Sequence, residues 1–326
     1  MIDESKPTDC HPWAFRRSIT SLPRLTPSVY DRIVRVLIFA NPIAGRGRGK
    51  DIATTLRKRL SRRKIEVKTF FERVADLDPK EVSKDPAMAA IAIGGDGTLR
   101  GVAEFLLRAF DATSMPPLVV VPLVTANLMR QHLNLDWKVE DIDRVLGEHR
   151  VVHLDAARAN GQLFLLIAGV GIDGAIVHAL DRIRTGPINK LSYIFPTALA
   201  LKDYEFPSMS VELDGKMVFP KAPALAFVGN VKEYGTGFPI LPTAQSDDGL
   251  LDVCVLPCRN PQKLIEIALR TVAAEHTQMP GVVCGKGKRI RVTTDKPVPI
   301  QLDGDPGGHT PLDIELLPQR LPFIVP

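Results

Sequence analysis

The first third of the chain alternates short apolar runs with segments of helical periodicity. The apolar runs are rich in β-branched residues and predict strands over 34–40, 65–71, 87–93 and 118–123. Helices are predicted between them, over 51–63 with Asp51 as N-cap and over 98–110. Strands alternating with helices are typical of a parallel sheet covered by helices, so this part is predicted to be an α/β domain.

From about His153 the pattern changes to short strands separated by turn signals, at Asn160-Gly161, Asp214-Gly215 and Asp248-Gly249. Helical periodicity is limited to 174–183, 188–201 and 261–274, the last of which opens with a proline. A β-rich second domain follows from this change. We therefore divide the chain into an N-terminal arm (1–32), an α/β domain (33–152) and a β-rich domain (153–326) whose last segment is free to return to the first domain.

Composition narrows the class of protein. The chain has 326 residues, of which 45% are hydrophobic and 24% charged, as in ordinary globular proteins. No apolar stretch approaches the ~18–20 residues of a membrane span, and the N-terminus lacks the features of a signal peptide. We expect a cytoplasmic protein without integral membrane segments, and its four cysteines have no metal-binding spacing with histidines.

The net charge of +5 is unevenly distributed, because nine basic residues and one acid, Asp51, lie between Arg46 and Lys64. Such a patch attracts nucleotide phosphates or anionic lipid headgroups, and a solvated helix face is the simpler alternative. Nucleic acid is the least favoured partner, because no aromatic residues are interleaved with the charges.

Two glycine-rich segments follow predicted strands. The segment 41–50 matches neither the P-loop nor the dinucleotide-binding formula, although its backbone N–H groups suit an anion at a helix N-terminus. The second, Gly94-Gly95-Asp96-Gly97-Thr98, joins an apolar strand to a helix. Missing side chains let a bulky anion approach the backbone, and the acid can hold a metal-bound water, so this segment predicts a nucleotide site.

With these segments, the chain resembles the diacylglycerol kinases and their bacterial lipid kinase, sphingosine kinase and ceramide kinase relatives. The resemblance runs from about Val34 to the C-terminus. Besides Asn41-Pro42 and the Gly-Gly-Asp-Gly-Thr loop, it rests on three further motifs: Pro122-x-x-Thr125-x-Asn127, which is the fourth motif of the family, the run 247–252 (Asp-Asp-Gly-Leu-Leu-Asp) and Asp303-Gly304. It implies an N-terminal parallel-sheet nucleotide-binding domain, a second β-sandwich domain, and a cleft between them for ATP and lipid, with dependence on Mg²⁺.

The resemblance also assigns roles to residues. It implies a nucleotide-binding set made of Asn41, Gly94, Gly95, Asp96, Gly97, Thr98, Leu99, Arg100 and Thr125. It implies that Asp248 is a ligand of a structural magnesium ion, together with the backbone oxygens of Gln245 and Leu250. Asp305 is expected to act as general base, helped by Asp303, while Asp96 organises a metal-bound water.

Four positions depart from the family pattern. Asp305 stands where the family has Glu, Val124 where it usually has Gly, and Arg100-Gly101 where it commonly has Asn-Glu.

From the resemblance, the leading hypothesis is an ATP-dependent lipid kinase, acting at the membrane surface on diacylglycerol, ceramide or a sphingoid base. The alternatives are a weak or inactive nucleotide- or lipid-binding protein of the same fold and an NAD kinase-like enzyme, and a homodimer is left open.

The lipid substrate implies peripheral membrane contact through basic residues. The apolar segments 164–172 and 191–201 are candidates for contact with acyl chains, and ordinary core packing is the alternative.

Overall fold

The computed structural model describes residues 35–41, 47–123, 127–147, 150–183, 204–235 and 237–326. These residues form a parallel-sheet domain and a separate antiparallel, β-rich domain, as the sequence predicts. Thr125 and Val124 of the fourth motif and the candidate lipid segment 191–201 lie outside the described residues.

The first sheet contains six strands among the described residues, in the order β2-β1-β3-β4-β17-β5. The strands are β1 (Arg35–Ala40), β2 (Glu66–Phe70), β3 (Ala89–Gly94), β4 (Leu118–Pro122), β5 (Arg150–Leu154) and β17 (Leu321–Val325). All pairs are parallel except β5 with β17. The last strand of the chain thus lies inside the first sheet, between β4 and β5.

Helices cover both faces of this sheet, which explains why β1 and β3 are buried along their whole length instead of alternating. The helices of this domain are α1 (Arg48–Arg62), α2 (Pro79–Ser83), α3 (Asp96–Ala109), α4 (Leu128–His132) and α5 (Ile142–Gly147). In α1 the buried side chains recur at helical spacing, at Ala53, Leu56 and Leu60. The opposite face of α1 carries its arginines and lysines.

The second domain contains eleven strands among the described residues, joined by the long strand β10. They are β6 (Ala157–Ala159), β7 (Gln162–Phe164), β8 (Ile167–Val170), β9 (Ser208–Leu213), β10 (Lys216–Gly229), β11 (Leu251–Pro257), β12 (Val283–Gly287), β13 (Arg289–Thr294), β14 (Pro299–Leu302), β15 (Asp305–His309) and β16 (Leu312–Leu316). Two longer helices accompany them, α6 (Ile172–Ile183) and α7 (Pro261–Val272).

Strand β10 takes part in two layers. Its first half pairs with β9, and its second half pairs with β8 and β11. The pairing is irregular between Met217 and Ala222, where Pro220 cannot donate to the ladder. This irregularity lets one strand pass from layer to layer, and the inward residues of both layers form a second hydrophobic core.

Turn chemistry explains the hairpins of this domain. Asn160 and Asp214 have positive φ angles of 48° and 49°, each followed by a glycine, so both pairs form the two-residue turns that the sequence predicts. Asp303-Gly304 is another such turn, between β14 and β15. Asp248-Gly249 differs, because it lies at the end of the long connection between the paired strands β10 and β11 and is not a two-residue hairpin turn.

Some predicted boundaries were wrong. Asp51 is not the N-cap of α1, because the helix begins at Arg48 after Gly47, whose left-handed φ of 88° suits glycine. The second predicted helix, α3, begins at Asp96 rather than Thr98, so the acid of the glycine loop lies in the first turn.

The segment 164–172, a candidate for contact with acyl chains, is buried, from Phe164 at 0% exposure to Ile172 at 3%, and therefore belongs to the core.

Candidate functional site

The candidate site lies where the parallel strands of the first sheet end. Asn41 follows β1 and donates its backbone N–H to Ile93 at 3.3 Å, while Leu123 after β4 donates to Gly94 at 3.3 Å. These bonds keep the ends of three strands together. Ligands of open α/β sheets bind outside this carboxyl edge. Helices α1 and α3 also begin here, so their N-terminal partial positive charges favour an anion.

The glycine loop between β3 and α3 is shaped by close packing. A Cβ atom at Gly94 would collide with the Thr98 side chain, so the loop needs glycine there for packing alone. Leu99 is 2% exposed and lies in the hydrophobic core, so its side chain faces away from the edge. The backbone of the predicted nucleotide segment and the side chains of Asp96, Thr98 and Arg100 are thus left to provide polar contacts.

Asp96 links the glycine loop to α4. Its carboxylate accepts the backbone N–H groups of Leu128 at 2.9 Å and Met129 at 3.2 Å. Burial is the largest influence on this carboxyl and raises its pKa, the two amide bonds act in the opposite direction, and the charge of Asp305 adds to the rise. Asp96 therefore has a structural task that joins β3 to the fourth motif.

The fourth motif, Pro122-x-x-Thr125-x-Asn127, ends in a buried amide to which the sequence analysis assigned no role. Asn127 is fully buried, and its Oδ1 caps α4 by accepting the N–H of Arg130 at 2.7 Å. Within the described part of the chain, its Nδ2 has no hydrogen-bond partner. A buried donor without a partner is costly, so this edge of the sheet provides a donor for a polar ligand.

The Asp303-Gly304 hairpin brings the second domain to the glycine loop. A Cβ atom at Gly97 would lie 2.9 Å from Oδ2 of Asp305, so any other residue there requires the Asp305 carboxylate to shift. Arg100 of α3 donates from Nη2 to Oδ2 of Asp305 at 2.8 Å and from Nη1 to the carbonyl oxygen of Leu302 at 2.6 Å. Three predicted site residues, Gly97, Arg100 and Asp305, are thus brought together.

Asp303 has a different environment from Asp305. Its carboxylate accepts three backbone N–H groups, from Leu165 at 2.9 Å, Leu166 at 2.9 Å and Ile167 at 3.1 Å. Burial raises the pKa of Asp303 to about 6, against the opposing effects of Arg100 and these amides. A carboxylate committed to three amides fixes the hairpin on β8, which makes Asp303 a positioning residue for Asp305.

The predicted metal ligand Asp248 lies in a turn before β11. Its Oδ1 accepts the N–H of Leu250 at 3.0 Å, and its Oδ2 is 2.8 Å from Nζ of Lys286. Lys286 also contacts Oδ2 of Asp252 at 3.1 Å. An ammonium group therefore already lies against the carboxylate that was predicted to hold magnesium, so these residues fit Mg²⁺ poorly. Gln245 is exposed in the same turn, and the role of its backbone oxygen stays a prediction.

Buried Asp155 holds this turn against the first domain. It accepts the N–H of Gly249 at 2.7 Å and Nε of Arg320 at 2.7 Å, and its own N–H donates to Ser246 at 2.6 Å. Burial raises the pKa of Asp155, while the bonds from Gly249 and Arg320 oppose that rise. The Oγ of Ser246 lies 2.7 Å from Nε2 of His132 in α4, so the turn contacts both domains.

Two further polar residues were missed. Lys286 had no signal in the sequence, because its partner Asp252 is 34 positions away and only strand pairing places them opposite each other. Asp173, in the first turn of α6, is buried and bonded to Tyr234, and burial raises its pKa to about 6. The spacing Gly169-x-Gly171-x-Asp173 is a signal that points to it.

Family models match both domains. Residues 35–159 match the diacylglycerol kinase catalytic domain, and residues 167–325 match the YegS C-terminal NAD kinase beta sandwich-like domain. The two matches follow the order of the two observed domains.

Curated relatives match over most of their length. A diacylglycerol kinase of Bacillus subtilis is 26% identical over 90% of this chain and 96% of its own, and one of Staphylococcus carnosus is 24% identical over 90% and 95%. An uncharacterised protein of Synechocystis is 27% identical over 89% of this chain and 70% of its own length.

Solved structures share the fold. A Bacillus anthracis protein superposes with a TM-score of 0.69 at 24% identity, covering 90% of this chain and 95% of the other. A diacylglycerol kinase from the same species superposes with a TM-score of 0.63 at 23% identity, covering 90% of this chain and 97% of the other. At this identity the likeness concerns the fold alone.

Proposed function

Since this chain belongs to the diacylglycerol kinase family, we propose that it is a kinase that transfers the γ-phosphoryl group of ATP to a hydroxyl of a membrane lipid. The observation that carries the proposal is the approach of Asp305 to Gly97. It joins the glycine loop of one domain to an acid of the other, which is where a nucleotide and an acceptor hydroxyl would meet.

The nucleotide end of the site would be formed by the carboxyl edge of the first sheet. Asn41, the backbone of Gly94 and Gly95, and the buried Nδ2 of Asn127 offer polar groups beside two helix N-termini. Bound ATP would supply the phosphoryl group, and Mg²⁺ would offset its charge. Thr125 remains part of the proposed nucleotide site on the strength of the family pattern.

The acceptor end would be formed by Asp305. A carboxylate within reach of a hydroxyl accepts its proton as the bond to phosphorus forms, and positioning contributes most to such reactions. Arg100 holds one oxygen of Asp305, and Asp303 anchors the turn that carries it. Asp305 has a shorter side chain than the Glu of the family. The position of the hairpin, which Arg100 and Asp303 hold, would therefore bring the Asp305 carboxylate to the acceptor hydroxyl.

A peripheral contact with the membrane follows from the proposed substrate. Arg57, Lys58 and Arg62 of α1 are exposed, and each basic residue near an anionic surface contributes about 1 kcal/mol. Arg59 and Arg63 are less suited, because both contact buried Asp143, at 2.7 Å and 3.2 Å. Among the described residues, no helix is long and apolar enough to cross a membrane.

A weak or inactive binding protein of the same fold is the second candidate. The observation that favours it is the same ion pair, because Arg100 occupies Oδ2 of Asp305, while both oxygens of Asp96 accept amides. If Arg100 stays on Asp305 when a substrate binds, Asp305 accepts a proton less readily. The two candidates differ in turnover.

Incubation of the purified chain with radiolabelled ATP and mixed micelles tests the proposal. The micelles contain diacylglycerol, ceramide, sphingosine or phosphatidylglycerol, and NAD is offered as a soluble acceptor. We expect label in one or more lipids and not in NAD, and loss of the product with Asp305→Asn. Label in NAD alone indicates an NAD kinase-like enzyme. ATP binding by calorimetry without any labelled product supports the binding protein.

A further inference from the structure

The ammonium group of Lys286 is surrounded by oxygen atoms at the Asp248 turn. Nζ lies 2.8 Å from Oδ2 of Asp248, 3.1 Å from Oδ2 of Asp252 and 3.1 Å from the carbonyl oxygen of Thr243. Lys286 donates hydrogen bonds to Asp248 and to the carbonyl oxygen of Thr243, and its contact with Asp252 is an ion pair. Two carboxylates and a backbone carbonyl are also ligands that hard divalent cations prefer.

Strand pairing fixes the position of this ammonium. Lys286 on β12 lies directly opposite Asp252 on β11 in the antiparallel register. Asp252 is 3% exposed in its side chain, and its other oxygen accepts the hydroxyl of Thr243 at 2.6 Å. A buried carboxylate needs a cation nearby, so Lys286 neutralises a charge that would otherwise be isolated.

The same oxygens cannot easily serve two cations. A divalent ion bound to Oδ2 of Asp248 would lie beside the Lys286 ammonium, and the two positive charges would repel each other at short range. The Lys286 ammonium lies within 2.8 Å of one carboxylate and 3.1 Å of another, so it already supplies the positive charge that a divalent ion would bring to this place. In the described part of the chain no cluster of three or more His, Cys, Asp or Glu residues could hold a metal, and the Asp248 turn is no exception.

Hydrogen bonds also stabilise this turn, as a bound metal ion would. Gly249 donates to Asp155 at 2.7 Å, and the N–H of Leu250 closes the turn on Asp248 at 3.0 Å. We propose that Lys286 is a built-in cation that takes the place of a bound divalent ion at the Asp248 turn. The turn then needs no metal, and any magnesium requirement is confined to the nucleotide.

Metal binding by the nucleotide-free chain tests this. Mn²⁺ binding is followed by electron paramagnetic resonance for the wild type, Asp248→Asn, Lys286→Met and, as matched control, Lys288→Met, an exposed lysine two positions further on. We expect equal Mn²⁺ binding by the wild type, Asp248→Asn and the control, and an additional equivalent bound by Lys286→Met. The melting temperature of the wild type should be unchanged by chelator, whereas that of Lys286→Met should be lower and should rise with Mg²⁺.

The proposal is overturned if the wild type binds Mn²⁺ that Asp248→Asn loses, or if chelator lowers the melting temperature of the wild type. A folded Lys286→Met chain that binds no more Mn²⁺ than the wild type also overturns it, because the oxygens then do not form a cation site. If Lys286→Met does not fold, the comparison of the wild type with Asp248→Asn still decides.

Discussion

Arg100 of the first domain donates to Asp305 of the second, with 2.8 Å between Nη2 and Oδ2. Both residues depart from the family pattern, which has Asn and Glu at these positions. The longer arginine thus meets the shorter acid, so the two departures form one local change. Because Arg100 also bonds the carbonyl oxygen of Leu302 at 2.6 Å, it connects the glycine loop to the base of the hairpin.

We predict that Arg100 and Asp305 are energetically coupled. Arg100→Asn should lower kcat by roughly tenfold or more, because Asp305 loses the contact that orients it. Asp305→Glu alone should also be impaired, since a longer acid does not fit between Gly97 and Arg100. The double variant restores the family pair and should recover turnover. Steady-state kinetics of the four proteins measures the coupling, and simple additivity would contradict it.

Gly97→Ala should lower kcat by roughly tenfold without unfolding the protein. The added Cβ would lie 2.9 Å from Oδ2 of Asp305, so the carboxylate must move by a fraction of an ångström, and a shift of about 1 Å can cost about 10²-fold in rate. Gly101→Ala is the matched control, because nothing lies within 4 Å of a Cβ at Gly101 in the same helix. The control should keep its kcat and gain up to about 1 kcal/mol of stability. Equal loss of activity in both variants argues against the contact.

Asp303→Ala should destabilise the second domain. Three backbone N–H groups would lose a shared acceptor, and a hydrogen bond to a charged group contributes about 1.5–3 kcal/mol net of the exchange with water, although burial of the carboxylate opposes this gain. We expect a loss of about 3 kcal/mol in the free energy of unfolding, measured by urea denaturation. Asp303→Asn keeps one acceptor oxygen and tolerates the φ of 52°, so it should lose less. A larger loss in the free energy of unfolding for Asp303→Asn than for Asp303→Ala would contradict this role of Asp303.

The buried carboxyl of Asp173 should make stability depend on pH in a defined direction. Its folded pKa of about 6 lies above the ordinary value of 3.8, so the folded state binds its proton more tightly. Relative to Asp173→Asn, the wild type should therefore gain stability as the pH falls from about 7 to 4, by up to about 3 kcal/mol. Urea denaturation of both proteins across this range measures the difference. A difference that is constant with pH contradicts the raised pKa.

The sequence predicted the first domain well because its buried strands are continuous apolar runs, such as β3 before the glycine loop. It also identified Asp305 and Arg100 separately, through their departures from a known pattern. It did not predict their contact, since the two residues are 205 positions apart and meet only where the hairpin reaches α3.

The sequence did not indicate the environments of the other acids either. Asp303 and Asp305 are two residues apart in one motif, yet Asp303 faces three amides and Asp305 faces Arg100. Lys286 was missed because cross-strand pairing with Asp252 leaves no trace in the local sequence. Motifs locate such residues, whereas their tasks depend on which atoms the fold brings within hydrogen-bonding distance.

The role of Asp305 as proton acceptor is measured by transfer of label from ATP to the four lipids of the micelle assay, with the wild type and with Asp305→Asn. Asn has nearly the same size and can still accept a bond from Arg100, but it cannot take a proton. We expect lipid product with the wild type and a loss of about 10²-fold or more in kcat with Asp305→Asn, at unchanged melting temperature. Equal rates for the two proteins, or no lipid product from the wild type, would contradict it.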